Sequence, residues 1–282
     1  MASVIQTLGP NAYSGFMELI GDGQDACTHK ALVCFADTSG PVDSYVKIYC
    51  ARTAPKGFVN ELIGYSLAKW GGLLTPPRAA VLLLDVDQTK FLPPAIDPMR
   101  TNNGKILAWC VQSLAGTTPK QSYNLNADKT ASTKYIRQDL NKWKDLPNVV
   151  ALDAWLLNED RNLGNVVRVG EGQYAVIDHG RVCTGNSWES PLDKNRMNHT
   201  NLLAAIAWEN PNVEYAPKNF HAPLIGSFVR YKQAVIDATP DLDYWLPKLI
   251  SIVDEQDAKN FMEERISTVR EYLRVTYGVL IS

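Results

Sequence analysis

Short apolar-rich runs separated by turn-forming residues recur along the first hundred residues, which is typical of β-strands, and one helical pattern interrupts them. Apolar-rich runs flank the glycine-bearing stretch 21–25, which predicts a β-hairpin. Further strands are predicted at 44–50, where β-branched and aromatic residues cluster, at 79–84, which reads as a buried strand, and at 106–111. The intervening segment 85–105 is rich in proline and asparagine and predicts a long loop.

The strand at 44–50 carries a lysine among its apolar residues. Because side chains alternate across a strand, Lys47 shares one face with Tyr45 and Tyr49. Two tyrosines and a lysine suit the wall of a polar cleft under a nucleotide. They equally suit a face that is exposed to solvent, and the pattern leaves both interpretations open.

A helix interrupts this strand-rich region. Apolar residues recur at helical spacing over 57–70, and Gly71-Gly72 ends the pattern. Glu61 lies on the opposite side among small residues, where it could reach Lys47 and form the lysine–glutamate pair that binds phosphates in kinases. The alternative is a solvated helix face that contains Glu61.

Helical periodicity dominates after residue 131. Four helices are predicted in the last part of the chain, at 201–208, 224–238, 244–253 and 258–277. A short hairpin around Gly170-Glu171-Gly172 interrupts the helical pattern, with predicted strands at 165–169 and 173–177.

This change of pattern predicts an α+β fold with two lobes. We expect a β-rich N-lobe over 1–111, a hinge of turn composition over 112–118, and a mainly helical C-lobe over 119–282.

The strongest chemical signal lies beside the hairpin. Asn165 follows Asp160 after five residues, and Asp178 follows Asp160 after eighteen. The first spacing is that of the kinase catalytic loop, and Asp178 stands where a metal-binding aspartate is expected. Phosphoryl transfer needs one carboxylate that orients the acceptor hydroxyl, and an amide oxygen with a second carboxylate that hold Mg²⁺. The alternative is a surface ion pair between Asp160 and Arg161, with Asp178 as a turn residue.

Composition narrows the classes of partner. The net charge is −2 and no run of lysine or arginine occurs, so we expect neither nucleic acid nor a membrane as a direct partner. The five scattered cysteines form no C-x-x-C pair, which favours reduced thiols and a cytoplasmic location. The first residues lack the pattern of a signal peptide, and no apolar run has the length of a membrane span.

Together these stretches resemble the HipA-like kinases, a bacterial branch near the phosphoinositide 3- and 4-kinases. The resemblance is carried by YVKI at 45–48, NELIG at 60–64, LA at 67–68, NEDRNLGN at 158–165 and IDHG at 177–180. It covers roughly residues 14 to 275. It implies a bilobal protein-kinase-like fold and an ATP- and Mg²⁺-dependent kinase that phosphorylates serine or threonine of a protein, with an antitoxin as a possible partner.

The resemblance also implies roles for individual residues. Three residues of the loop are assigned to catalysis: Asp160, Arg161 and Asn165. Two residues are assigned to the metal: Asn165 and Asp178. Seven residues are assigned to the nucleotide, in the strand–helix pair, in a phosphate-binding loop over 21–28 and in the hinge: Lys47, Glu61, Gly21, Gly23, Thr28, Gln112 and Leu114.

Two of the departures from the family pattern fall on individual residues. His179 replaces the phenylalanine that usually follows the metal-binding aspartate in eukaryotic kinases. The stretch GDGQDACT at 21–28 lacks the serine that some HipA toxins autophosphorylate, and Thr28 is its only hydroxyl. Phosphorylation of Thr28 would place negative charge where ATP must place its own. The alternative is that Thr28 ends the turn through a local hydrogen bond.

Three functions compete at this point. The leading one is a serine/threonine protein kinase. The second keeps the chemistry but transfers phosphate to a lipid or small molecule, although the chain lacks the basic or apolar surface expected of a lipid kinase. The third is a pseudokinase that serves as a binding module, against which stands the presence of every candidate residue. The pattern predicts no oligomeric state.

Overall fold

The computed structural model describes residues 3–22, 25–196, 201–208 and 217–278. In this part of the chain the fold is mixed α/β, with a six-stranded sheet, a two-stranded sheet and seven α-helices. The helices and strands follow one another in the order β1 (Ile5–Leu8), β2 (Tyr13–Asp22), β3 (Ala26–Val33), β4 (Val42–Tyr49), α1 (Gly57–Trp70), β5 (Ala79–Leu84), β6 (Ile106–Gln112), α2 (Pro119–Leu125), α3 (Lys129–Lys142), α4 (Leu146–Leu156), β7 (Val166–Gly170), β8 (Gln173–Val176), α5 (Leu202–Ala207), α6 (Lys218–Leu249) and α7 (Ile252–Thr276).

The large sheet has the strand order β1-β5-β6-β4-β3-β2. β1 runs parallel to β5, and the other neighbouring pairs are antiparallel. In this register Lys47 of β4 lies opposite Thr28 of β3 and Trp109 of β6. The centre of the sheet therefore carries the lysine, with a neighbouring strand on each side of it.

The two faces of the sheet belong to different cores. Val46, Ile48 and Cys50 pack into a small apolar cluster on one face. The opposite face joins the main core, which α1 and the helices of the second half share. The alternation predicted for residues 44–50 is therefore confirmed, because the lysine face points away from the small cluster.

Several predicted elements are confirmed closely. α1 and β5 have the predicted bounds, and β6 extends one residue beyond its prediction. The hairpin of the second half forms as β7 and β8, with Gly172 in its turn at a φ of 58°. A left-handed backbone is available to glycine without steric cost, which explains the glycine at this position.

The predicted phosphate-binding loop over 21–28 is wrong in its extent. β2 continues through Asp22 and β3 begins at Ala26, so Thr28 is paired within a strand rather than in a turn. β3 begins as early as Ala26 because it pairs with β4 there. The local composition does not reveal this pairing. Gly23, which we also assigned to the nucleotide, lies outside the described residues.

The helices near the end of the chain also differ from their predictions. The segments predicted at 224–238 and 244–253 belong largely to one helix, α6, which continues through Pro240 and Pro247. Burial of Trp245 and Leu246 stabilises this stretch and offsets the backbone hydrogen bonds that proline removes. α6 ends at Leu249, and Ile250 is in an extended conformation. Ser251 then caps α7 by accepting a hydrogen bond from the backbone N–H of Asp254. β1 was not predicted from the sequence.

No helix in the described ranges combines the length and the apolar character that a membrane span requires.

Candidate functional site

A cavity of about 510 Å³ lies between the large sheet, α1 and the segment that joins α4 to β8. Eight of the eleven predicted site residues line it: Gly21, Thr28, Lys47, Glu61, Gln112, Leu114, Asn165 and Asp178. These residues span almost 160 positions of sequence and meet only through the fold. Of the other three, Asp160 lies beside the lining, Arg161 is sealed beneath it, and Gly23 falls outside the described residues.

Lys47 is held between two carboxylates. Its Nζ lies 2.7 Å from Oε1 of Glu61 and 2.8 Å from Oδ1 of Asp178. Glu61 is 2% exposed, which rules out the solvated helix face as an alternative. The structure thus brings together the predicted lysine–glutamate pair and adds the predicted metal-binding aspartate to it.

Both oxygens of the Glu61 carboxylate accept further hydrogen bonds. The hydroxyl of Tyr49 donates to Oε1 at 2.9 Å, and the backbone N–H of His179 donates to Oε2 at 2.8 Å. Glu61 therefore links the sheet, through Lys47 and Tyr49, to the segment that carries Asp178.

The charges of Lys47 and Asp178 stabilise each other. Burial opposes the charged form of Lys47, but Asp178 and Glu61 outweigh it and raise the pKa of the lysine well above its ordinary value. Burial likewise opposes ionisation of Asp178, but Lys47 outweighs it and lowers the pKa of the carboxyl to about 2. Both groups are charged at neutral pH.

Asp178 occupies an unusual backbone conformation. It follows β8 with a φ of 57°, in the left-handed region that aspartate and asparagine tolerate better than most residues. Two hydrogen bonds hold its neighbour Ile177: the backbone N–H of Ile177 donates to the carbonyl of Asn165 at 3.1 Å, and Arg161 donates to the carbonyl of Ile177 at 2.5 Å. The conformation of Asp178 is thus fixed by the chain that precedes it.

The loop from α4 to β7 is folded around Asp160. α4 ends at Leu157, whose left-handed φ of 49° turns the chain towards the cavity. Nδ2 of Asn165 donates to the carbonyl of Asp160 at 2.6 Å, and Nδ2 of Asn162 donates to the same oxygen at 2.9 Å. The Asp160 side chain is half-buried at the rim of the cavity, with Oδ2 at 3.4 Å from Nδ2 of Asn165.

Arg161 is buried below this loop. Its Nε lies 3.2 Å from both carboxylate oxygens of Asp153, and its terminal nitrogens contact the carbonyls of Asn165 and Ile177 and Nδ1 of His179. Arg161 was predicted to be catalytic, but it does not line the cavity. Its guanidinium instead holds the carbonyls of Asn165 and Ile177 in place. The alternative of a surface pair with Asp160 is also wrong.

Asp153 was not predicted from the sequence as part of the site. It is 1% exposed and also accepts hydrogen bonds from Asn158 and Asn201, each at 2.9 Å. Burial raises the pKa of Asp153 despite the opposing effect of Arg161. A single aspartate inside the apolar stretch VALDAWLL was an available signal, because a buried carboxylate needs a charged partner nearby.

His179 is neutral and its tautomer is defined by Arg161. The guanidinium can only donate, so Nδ1 at 3.2 Å accepts and the proton resides on Nε2. Burial, and then the charge of Arg161, lower the pKa of this imidazole well below its ordinary value. A methyl group at Gly64 would lie 2.3 Å from Cβ of His179, so α1 approaches this residue only because position 64 is glycine.

Asn60 anchors the segment that follows His179. Its side-chain amide donates to the carbonyls of Gly180 and Gly185 at 2.9 and 2.7 Å, and its oxygen accepts from the indole of Trp188 at 2.9 Å. One helix, α1, therefore positions both the Glu61 carboxylate and the chain that leaves the site.

The two predicted hinge residues line the cavity in different ways. The backbone N–H of Gln112 donates to the carbonyl of Arg78 at 3.0 Å, and its side-chain oxygen accepts from Arg78 at 2.7 Å. Leu114 lies in the loop beyond β6 and contributes an apolar side chain. The backbone donor of Gln112 is therefore committed to the sheet, and a ligand would meet the residues after it.

The donor set fits a magnesium ion that is shared with a ligand. Among the described residues no group of three or more histidine, cysteine, aspartate or glutamate side chains could hold a metal alone. Because Nδ2 of Asn165 is bonded to Asp160, its amide oxygen is available, and Oδ2 of Asp178 is the carboxylate oxygen that Lys47 does not contact. Mg²⁺ is commonly bound by one or two such oxygens together with substrate phosphates.

Neither the protein-family models nor the curated proteins with which the chain was compared include a match.

Proposed function

We propose that the protein is an ATP- and Mg²⁺-dependent phosphotransferase with a bilobal protein-kinase-like fold, and that its acceptor is a serine or threonine hydroxyl of a protein. The observation that carries this proposal is the triad in which Lys47 contacts both Glu61 and Asp178, with Asn165 in the same cavity and Asp160 at its rim. The nature of the acceptor follows from the family resemblance rather than from the geometry.

The cavity suits a nucleotide in size and in the character of its walls. A volume of about 510 Å³ lies within the range of small-molecule sites. Aliphatic residues of its lining could contact a flat base: Ile20, Val111, Leu114, Val167 and Ile177. The same lining contains the charged side chains of Lys47, Glu61 and Asp178, so the cavity offers both apolar surface for a base and charged groups for its phosphates.

The phosphates would lie against Lys47. This lysine stays charged because two carboxylates surround it, and Glu61 holds its Nζ towards the cavity. Asn165 and Asp178 would hold Mg²⁺, which supplies positive charge at the phosphate oxygens. The buried partners of Glu61 ensure that the carboxylate does not have to be reoriented when a ligand binds.

Asp160 is positioned to act on the acceptor. In the proposed reaction the acceptor oxygen forms a bond to the terminal phosphorus, the bond between that phosphorus and the bridging oxygen of ADP breaks, and Asp160 accepts the hydroxyl proton. The two asparagine contacts to its backbone carbonyl fix the loop, and its half-buried side chain lies next to Asn165, which lines the cavity.

The test is the Asp160→Ala variant assayed with radiolabelled ATP. We expect turnover to fall by about 10²–10⁴-fold, because general-base catalysis contributes this much, while Mg-ATP still binds. Glu159→Ala is the matched control, since it removes the neighbouring carboxylate, which pairs with Arg196 on the surface. Near-normal turnover of Asp160→Ala would refute the assignment.

The acceptor class needs its own assay. Wild-type protein is incubated with labelled Mg-ATP and, separately, with protein, phosphoinositide and small alcohol acceptors. Label in protein serine or threonine supports the proposal, and label only in lipid or alcohol transfers the chemistry to the second candidate function. Tight binding of Mg-ATP without transfer to any acceptor or to water would instead indicate a binding module.

A further inference from the structure

The cavity contains a second cation that the site as described does not use. Lys47 and Lys120 are the two lysine or arginine residues among the described residues that line it. Lys120 comes from α2, on the side of the cavity opposite the large sheet.

Lys120 is attached to the loop that carries Asp160. Its backbone N–H donates to the carbonyl of Leu163 at 3.1 Å. A methyl group at Gly164 would lie 3.2 Å from Cδ of Lys120, so the aliphatic part of the lysine lies across the glycine next to Asn165. Because position 164 is glycine, there is room for the aliphatic part of the Lys120 side chain beside it. The hydrogen bond to Leu163 fixes the backbone of Lys120.

The charge of Lys120 is not balanced by the protein in the described ranges. Lys47 is paired with two carboxylates, whereas no carboxylate of the described residues forms an ion pair with Lys120. The loop supplies no other cation to the cavity, because its arginine, Arg161, is sealed against Asp153. Positive charge on the loop side of the cavity therefore comes from Lys120.

We propose that Nζ of Lys120 binds the terminal phosphate of the nucleoside triphosphate. This inference rests on the proposed function and adds to it a residue that contacts the transferred group. During phosphoryl transfer the negative charge is spread over the three non-bridging oxygens of that phosphate, and a preorganised cation stabilises it. Lys47 contacts the phosphates from the sheet side and Lys120 from the loop side. In this role Lys120 acts by charge and hydrogen bonding alone and takes no part in the proton transfer.

The experiment compares ATP with ADP, because only ATP carries the terminal phosphate. The dissociation constants of Mg-ATP and Mg-ADP are measured for wild type, Lys120→Ala, Lys120→Arg and Lys134→Ala, together with kcat. We expect Lys120→Ala to weaken ATP binding about tenfold and ADP binding less than twofold, and to lower kcat about tenfold or more. Lys120→Arg should recover most of both losses, because it restores the charge.

Lys134→Ala is the matched control. Lys134 is an exposed lysine of α3 that does not line the cavity, so this variant removes the same charge from the protein without removing a cavity contact. Its constants should equal those of wild type. A loss in Lys134→Ala as large as that in Lys120→Ala would assign the effect to overall charge and overturn the inference.

Other outcomes separate this inference from the proposed function. Equal losses for ATP and ADP would place Lys120 against another part of the nucleotide and overturn it. An increase only in the KM of the acceptor would make Lys120 an acceptor-docking residue and overturn it as well. In both cases the kinase assignment survives, because wild type still binds ATP and Asp160→Ala is still inactive. If wild type binds neither nucleotide, the inference and the proposed function fail together.

Discussion

Two charged clusters meet at the segment 177–179, and both are built from acidic and basic side chains with hydrogen-bonding partners. The cavity cluster consists of Lys47, Glu61 and Asp178, and the sealed cluster consists of Asp153, Arg161, Asn158 and Asn201. They differ in access to solvent. The side chains of Lys47 and Asp178 are 16% and 41% exposed, whereas those of Arg161 and Asp153 are 0% and 1% exposed.

Because they differ in exposure, the charged side chains of the cavity cluster can exchange their partners for a ligand, whereas those of the sealed cluster cannot. In the cavity cluster a ligand could replace one of the carboxylates around Lys47, because solvent and ligand both reach it. In the sealed cluster loss of either partner would leave an uncompensated charge in the interior, which costs several kcal/mol. We therefore interpret the cavity cluster as the reactive part and the sealed cluster as its support.

The two clusters are joined through three consecutive residues. Arg161 contacts the carbonyl of Ile177 and Nδ1 of His179, and Glu61 accepts from the backbone N–H of His179. Asp178 lies between these contacts in its left-handed conformation. The sealed cluster thus determines where the carboxylate of Asp178 is presented to Lys47.

The largest expected effect comes from breaking the sealed cluster. Arg161→Met should lower the free energy of unfolding by about 3–5 kcal/mol, because Asp153 would be left as a buried, unpaired carboxylate. Urea denaturation measures this loss. Arg181→Met is the control: Arg181 is an exposed arginine that pairs with Asp25 at 3.0 Å, and its removal should cost less than about 1 kcal/mol.

A second change of the sealed cluster tests the cause. In the double variant Arg161→Met, Asp153→Leu both charges are absent, so much of the loss should be recovered if the unpaired carboxylate is responsible. Equal instability of the single and double variants would instead show that hydrogen bonds of the cluster carry the stability, either those of Arg161 to the loop carbonyls or those of Asn158 and Asn201 to Asp153.

Breaking the cavity cluster should affect function and leave stability nearly unchanged. Under the proposed function, Asp178→Asn takes a negative oxygen ligand away from Mg²⁺, so Mg-ATP should bind about tenfold or more weakly and turnover should fall by about 10²-fold. Asparagine tolerates the left-handed backbone, so folding is preserved. Calorimetry in the presence and absence of Mg²⁺ measures the binding. Unchanged affinity and turnover would return Asp178 to the role of a turn residue.

The contact between α1 and His179 can be tested without changing any charge. Gly64→Ala would place a methyl group 2.3 Å from Cβ of His179, and we expect a loss of about 1–3 kcal/mol in the free energy of unfolding from overpacking. Gly226→Ala, in α6, is the control. No atom lies within 4 Å of the added methyl group there, so helix propensity should make it neutral or stabilising by up to about 1 kcal/mol. Equal effects of the two changes would argue against a tight contact at His179.

The cavity cluster was more predictable from sequence than the sealed one, for a physical reason. Lys47 and Glu61 stand on elements whose periodicity is strong and local, and α1 forms over the predicted range. Asn165 and Asp178 were recognised by their spacing from Asp160. In each case the pattern that identifies the residue lies within about twenty positions of it.

The sealed cluster depends on contacts that local patterns do not contain. Asn201 reaches Asp153 across 48 residues, and the burial of Arg161 results from packing of the loop against the core. The same limitation applies to β1, which is stabilised by pairing with β5 more than 70 residues away, and to Thr28, whose place in a strand follows from pairing with β4. Composition indicated a turn within residues 21–28, but not that β2 continues through Asp22 and that β3 begins at Ala26.

The smallest expected effect is the dependence of the cavity cluster on pH. An aspartate titrates near 3.9 in an unfolded chain, and Lys47 lowers the pKa of Asp178 in the folded protein to about 2. The unfolded chain therefore takes up the proton first as pH falls, so the pair stabilises the fold fully above about pH 4, and this contribution is lost as pH falls to about 2. Since the Asp178 side chain is 41% exposed, solvent screening limits the contribution to less than about 1 kcal/mol. We expect the difference in unfolding free energy between wild type and Asp178→Asn to be constant from pH 7 to pH 5 and to shrink below pH 4, measured by urea denaturation at each pH. If this difference in unfolding free energy already disappears between pH 7 and pH 5, another group titrates in the cavity cluster. The ion pair between Lys47 and Asp178 would then not explain the pH dependence, and the contrast with the sealed pair of Arg161 and Asp153 would not hold for Asp178.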